Sequence, residues 1–258
     1  MNGLNQNMLN KKKKSQENKH EFAFYCNDVS AFTHDTDPGD ITFTSDELYH
    51  RFKHVVRIKP GDSVILFDKE HNISFLFLRC EGKNKVVGIW KDRKVNSKVM
   101  PAITFLLPLL KIDALSDAIY SLTEVGITTI QLLSTEKTQT PCTSKLLEKL
   151  ERVAIAAAEQ SKDFSYPTIL PPVELTDWLK TPTAGKKFHF DVTGVPFSSW
   201  YSPIDMHESY YLLVGPEGDL TDVEKQLTKQ TGFVACLLTP TVLRSTRAIS
   251  LVSGLFRL

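Results

Sequence analysis

A chain of 258 residues is long enough to bury a sizeable core, as one large domain or two modest ones. Apolar content of 41% and charged content of 24% are ordinary for a soluble globular protein, and a net charge of +1 neither requires nor excludes a nucleic-acid partner, because a basic face can hide in a neutral total. The four cysteines, Cys26, Cys80, Cys142 and Cys236, form no C-x-x-C pair, which argues against a disulfide framework or a metal site and for a reducing cytoplasm. Apolar runs such as "ITFLLPLL" are too short to span a bilayer, so no membrane association is expected.

Residues 1 to 20 are polar, with lysines at Lys11 to Lys14, and hold almost nothing that could pack. They read as a disordered basic arm rather than a secretory signal. Residues 21 to 98 carry short β-branched and aromatic runs, "EFAFYC", "DITFT", "DSVILFD", "ISFLFLRC" and "KVVGIWK", separated by turn residues. Their spacing predicts a small barrel or sandwich. One helix interrupts them, from a Ser45 or Asp46 cap to Pro60-Gly61, with Leu48, Phe52, Val55 and Val56 on one face. His50, Arg51, Lys53, His54, Arg57 and Lys59 make a basic cluster around it, either a solvated face or a surface for phosphates.

From about residue 99 the pattern changes to alternating strands and helices. "PAITFLLPLL" is an apolar run of the kind parallel sheets bury on both faces. A helix capped by Asp113 and ended by Gly126 follows. Next come the strand "TTIQLLS" and a long helix with Leu146, Leu147, Leu150, Val153, Ala154, Ala157 and Ala158 inward. Strands "KKFHFDV" and "YYLLVG", a helix from "LTDVEKQLTKQTG", the strand "FVACLL" and a closing helix complete the series. The alternation predicts a mainly parallel α/β sheet.

Ligands of such sheets sit beyond the carboxyl ends of the strands. Two connections there are unusual. Gly215-Pro216-Glu217-Gly218 is a stiff turn open to close approach, suited to a flat heteroaromatic read by backbone groups. It lacks the lysine of a phosphate loop, and it also fits a plain tight turn capped by Asp219. The other connection runs from Cys236 to Ala248, "CLLTPTVLRSTRA".

Together, "LLVGPEGDLTDVE", "LLTPTVLRSTRA", "RVAIAAAEQS" and "LTEVGI" resemble the RsmE family, bacterial 16S rRNA (uracil-N3)-methyltransferases of the SPOUT superfamily. "HRFKHVVRIKPGD" with "ILFD" resembles that family's N-terminal PUA-like barrel, so the likeness covers residues 21 to 258. The resemblance implies an α/β trefoil-knotted methyltransferase domain at 99–258, a PUA-like RNA-binding barrel at 21–98, S-adenosylmethionine as cofactor and a homodimer built partly on "AISLVSGLFRL". It implies small-subunit rRNA, in an assembled 30S particle, as the partner. Carried over residue by residue, it points to Leu213, Gly215, Pro216, Glu217, Gly218, Leu237, Leu238, Thr239, Leu243 and Arg244 for the cofactor. Glu217 or Arg244 would act chemically, and His50, Arg51, Arg57 and Lys111 would hold RNA phosphates. A positive φ is expected at Gly218. Asp219, Thr239, Thr246 and Arg247 depart from the family pattern. The alternatives are a SPOUT enzyme acting on another RNA base or ribose, and a non-catalytic RNA-binding relative.

Overall fold

The computed structural model describes residues 21–27, 29–33, 37–200 and 203–258, so the arm expected at 1–20 lies outside the described residues. The described chain divides into two compact units between Lys94 and Val95.

The first unit holds β1 (Ala23–Tyr25), α1 (Val29–Thr33), β2 (Gly39–Thr44), α2 (Asp46–His50), β3 (Ser63–Phe67), β4 (His71–Glu81) and the body of β5 (Lys85–Val95). The strands form one sheet in the order β1-β3-β4-β5-β2. Among the described residues no pairing joins β1 to β2, so a sheet is present but the expected closed barrel is not found. Its core is rich in aromatics. The Phe52 ring lies 4.8 Å from Phe24 and 5.2 Å from Phe77, and all three are buried.

Ser45 caps α2, its side chain accepting from the Leu48 N–H at 3.1 Å. The helix does not run on as α to Lys59. It widens into a π turn over Arg51–Val55, closed by the Val56 N–H donating to the Arg51 carbonyl, and Arg57 then takes a left-handed φ of 60°. The wider winding keeps Phe52 in the core and rotates Val55 outward, where it is 60% exposed, contrary to the even 3.6-residue stripe expected from the sequence.

The second unit is a six-stranded sheet in the order β11-β9-β10-β6-β7-β8. Its strands are β6 (Ala102–Pro108), β7 (Thr129–Ser134), β8 (Thr168–Glu174), β9 (Lys186–Pro196), β10 (Ser209–Val214) and β11 (Val234–Leu237). Every adjacent pair is parallel. The helices are α3 (Ile112–Glu124), α4 (Ser144–Ser161), α5 (Leu175–Trp178), α6 (Asp222–Gln230) and α7 (Ser245–Leu255). β8 has no counterpart in the sequence reading because Pro171-Pro172 interrupts its pattern; as an edge strand it tolerates them.

Strand side chains alternate between the two faces. On β10, Tyr210 meets Phe256 beside α7, whereas Tyr211 and Leu213 pack with Trp178, Leu175 and Leu227 on the face of α5 and α6. α3 packs against α4 and α7. Gly126 ends α3 at φ 73°, as expected, but Lys111 rather than Asp113 occupies the N-cap. Arg257 donates to the carbonyls of Val125 at 3.2 Å, Pro101 at 2.8 Å and Gly126, tying the chain end to the turn after α3. Burial lowers its pKa to about 10.

Candidate active site

The chain enters β9 at Lys186 and pairs regularly with β11 as far as His189 opposite Ala235. The register then jumps, so that Cys236 faces Val195. The intervening residues bulge, and Gly194 lies so close to the β11 backbone that a Cβ there would come within 2.5 Å of the Cys236 nitrogen. The bulge carries Asp191, which is buried. Its Oδ1 accepts from the N–H (2.7 Å) and hydroxyl (2.5 Å) of Thr193, and its Oδ2 lies 2.6 Å from Lys225 Nζ. Burial, the largest single influence, opposes ionisation, but the bonds from Lys225 and Thr193 outweigh it and bring the carboxyl down to about 2. Neighbouring His189 is buried with no partner for Nε2 among the described residues, and burial lowers its pKa.

After β10 the chain turns at Pro216–Asp219, closed by the Asp219 N–H donating to the Pro216 carbonyl at 2.9 Å. The left-handed residue is Asp219, at φ 58°, and not Gly218. An aspartate tolerates that conformation when its carboxylate is bound locally. Here Oδ1 accepts from the Leu220 N–H at 2.8 Å and Oδ2 from Lys225 Nζ at 2.6 Å. Lys225 thus clasps the bulge of β9 to the turn after β10. Gly215 has its own reason: a Cβ there would come within 2.8 Å of Asp219 Oδ1. The helix that follows is capped by Thr221 with a capping box to Glu224, not by Asp219. Glu224 is buried and also accepts from the Glu136 N–H at 2.9 Å, while Lys137 Nζ donates to the Gly218 carbonyl at 2.7 Å.

These segments surround a cleft of about 720 Å³ at the carboxyl ends of β9, β10 and β11 and the start of α3. Of the residues carried over for the cofactor, Gly215, Pro216, Glu217, Leu237, Leu238, Thr239, Leu243 and Arg244 line it together. Leu213 and Gly218 do not. Leu213 is fully buried on the opposite face of the sheet, and its neighbour Val214 faces the cleft. Gly218 is exposed beside Lys137. Lys111, expected to hold RNA phosphate, lines the same cleft.

Glu217 is exposed, and its carboxylate accepts from the Lys111 N–H at 3.4 Å. The burial that would suit it to take a proton is absent. Arg244 is exposed, with no side-chain partner among the described residues. Sequence reasoning missed Asp117, Phe190, Asp191 and Val192 in the lining; only their place at a strand's carboxyl end or a helix start signalled them. His50, Arg51 and Arg57 lie in the first unit. The His50 ring lies tilted against that of His54, with centroids 5.4 Å apart, and the Arg51 guanidinium lies 4.9 Å from the Phe24 ring centroid. The four cysteines are free thiols, and burial pushes that of Cys236 up to about 11. Among the described residues no cluster could hold a metal ion, and no helix is long and apolar enough to cross a membrane.

A parallel α/β sheet with an apolar cleft across the carboxyl ends of its strands defines a small-molecule-binding α/β enzyme domain. The chain belongs to the family of RNA methyltransferase domains, whose family model matches residues 97–256, and it is an enzyme of that class. It is 28% identical over 222 residues to the ribosomal RNA small subunit methyltransferase E of Rickettsia conorii, covering 84% of each chain. The fold is shared with the ribosomal RNA small subunit methyltransferase E of Neisseria gonorrhoeae, solved bound to S-adenosyl methionine. That match has a TM-score of 0.79 and 21% identity over 92% of this chain and 97% of that one. It is likewise shared with a putative methyltransferase from Legionella pneumophila solved with the cofactor, at a TM-score of 0.80 and 21% identity over 93% and 98%.

Proposed function

We propose that this protein transfers a methyl group from S-adenosylmethionine to N3 of a uridine in small-subunit ribosomal RNA. The observation that carries the reading is the cleft itself, where the turn at 215–219 and the segment 237–244 meet at the carboxyl ends of three parallel strands in a chain of the RNA methyltransferase family. The names of its relatives supply the small-subunit ribosomal RNA, and the sequence resemblance supplies the uridine N3. The residues present fit the cofactor. The volume suits a ligand of that size, and Pro216, Leu237, Leu238 and Val242 offer apolar walls for a heteroaromatic ring. Asp117 offers a carboxylate to the ammonium group of a zwitterionic tail.

The cofactor supplies an electrophilic methyl group. What the chain must do is hold the uracil in line, exclude water and help N3 lose its proton. Glu217 is engaged by the Lys111 N–H. Arg244 is the group free to act, steadying the negative charge that spreads onto the uracil oxygens as the proton leaves. The first unit, with His50, Arg51 and Arg57, is the module that grips the RNA, in the manner of a PUA-like domain.

The path of the chain supports a knotted arrangement. From β11 at one edge of the sheet, the segment after Leu237 returns to lay α7 on α3 and β10. The working form is a cytoplasmic homodimer acting on an assembled 30S particle. Mapping methylated nucleotides by mass spectrometry in rRNA from cells lacking the protein tests the reading. Loss of one methyl from one uridine N3 is expected; unchanged rRNA would refute it, and loss from another base or a ribose would redirect it.

A further inference from the structure

Beside the main cleft lies a second, polar cavity of about 400 Å³, lined by Asp117, Tyr120, Ser121, Arg244, Thr246, Arg247 and Ser250. Asp117, Arg244 and Thr246 line both cavities, so the two are adjacent. The main cleft has mostly aliphatic walls; this one has four hydroxyls and two guanidiniums. Arg244 and Arg247 have no hydrogen-bond or ion-pair partner in their side chains among the described residues. Two guanidiniums against one carboxylate leave the cavity with one net positive charge. Asp117, the one carboxylate, is shared with the main cleft. Hydroxyl and guanidinium donors converging beside an apolar slot match a nucleotide whose base is in the slot and whose phosphate is outside it.

We propose that this cavity binds a backbone phosphate of the RNA strand next to the target nucleotide, with Arg247 as its principal ligand and Ser121 and Thr246 as hydroxyl donors; the Ser250 hydroxyl already donates to the Thr246 carbonyl at 3.0 Å. The inference rests on the reading of the main cleft as the methyl-transfer site, and adds to it the place where the substrate strand is held. Arg247 does not line the main cleft, so its part is to position RNA, not to touch the methyl donor. Arg247 is exposed, and its replacement leaves the core untouched.

The test compares the full-length protein with Arg247→Gln and Arg247→Lys. The probes are a short fluorescein-labelled single-stranded RNA containing uridine, titrated at several salt concentrations, and S-adenosylmethionine by calorimetry. Arg247→Gln should weaken RNA binding about tenfold at low salt. It should also lower the slope of log K against log salt by about 0.7, the share of one phosphate on a single strand. Arg247→Lys should restore the slope but only part of the affinity, because a lysine cannot make the forked contact. Cofactor affinity should not change, and on 30S particles KM for RNA should rise with kcat unchanged.

Unchanged RNA affinity and slope in Arg247→Gln, with the wild type binding RNA and cofactor normally, would overturn this inference alone. A wild type that binds no RNA would overturn it together with the proposed function. A variant that turns a dimer into a monomer by light scattering, with RNA affinity per protomer intact, would make the cavity a contact between copies and overturn the phosphate reading.

Discussion

Replacing Lys225 by methionine tests whether the clasp between the β9 bulge and the turn after β10 holds the cleft together. The Lys225 side chain is 22% exposed and sits 2.6 Å from both Asp191, whose side chain is 3% exposed, and Asp219, at 49%. Breaking a buried ion pair by removing one partner costs about 3–5 kcal/mol, and an exposed pair contributes about 0–1 kcal/mol. Asp191 keeps its two bonds from Thr193, which offsets part of the loss. An expected destabilisation of about 2–3 kcal/mol at pH 7 follows.

The effect should depend on pH in a definite direction. Lys225 and Thr193 hold the Asp191 carboxyl at about 2, below its ordinary 3.8. Its contribution is therefore fully present above about pH 4 and is lost as pH falls towards 2. Urea unfolding at pH 7 and pH 3 checks both statements. The gap between wild type and Lys225→Met should narrow at the lower pH, and Lys225→Met with Asp191→Asn should recover stability relative to Lys225→Met alone. A loss under about 0.5 kcal/mol at pH 7, the range of an ordinary surface substitution, or a gap indifferent to pH, would refute the reasoning.

Three further outcomes are expected. Gly194→Ala forces a Cβ to within 2.5 Å of the Cys236 nitrogen, so it should separate β9 from β11, lower the thermal midpoint and abolish cofactor binding in calorimetry. Gly218→Val should be mild, under about 1 kcal/mol in urea unfolding with cofactor affinity kept, because Gly218 has no left-handed φ and its Cβ would meet only the Lys137 side chain at 3.5 Å. Arg57→Gly should relieve the left-handed backbone at φ 60°, leaving stability unchanged or up to about 1 kcal/mol higher, while RNA binding weakens; a variant as tight on RNA as the wild type would remove Arg57 from the RNA-gripping surface.

Local chemistry in the sequence determined a good deal here. β-Branched, aromatic and apolar runs marked ten of the eleven strands among the described residues, and Ser45 and Gly126 marked a helix start and a helix end through side-chain and backbone geometry that needs no distant partner. The turn at Gly215 to Gly218 and the stretch from Leu237 to Arg244 stood out because proline fixes its own backbone and glycine frees it, and all of the first but Gly218 and most of the second line the cleft. Tertiary structure alone decided what depends on distant residues meeting. Whether Leu213 or Val214 faces the cleft is fixed by which helices cover which face of the sheet, and a uniformly apolar strand gives no sign of it. The π turn at Arg51–Val55 arises from seating Phe52 among rings on other strands. Asp219, not Gly218, takes the left-handed position because its carboxylate is held by Lys225, which also binds Asp191 across the sheet. Helix and strand periods report contacts made within a few residues; an ion pair closed by the fold between β9 and α6 leaves no trace in either period.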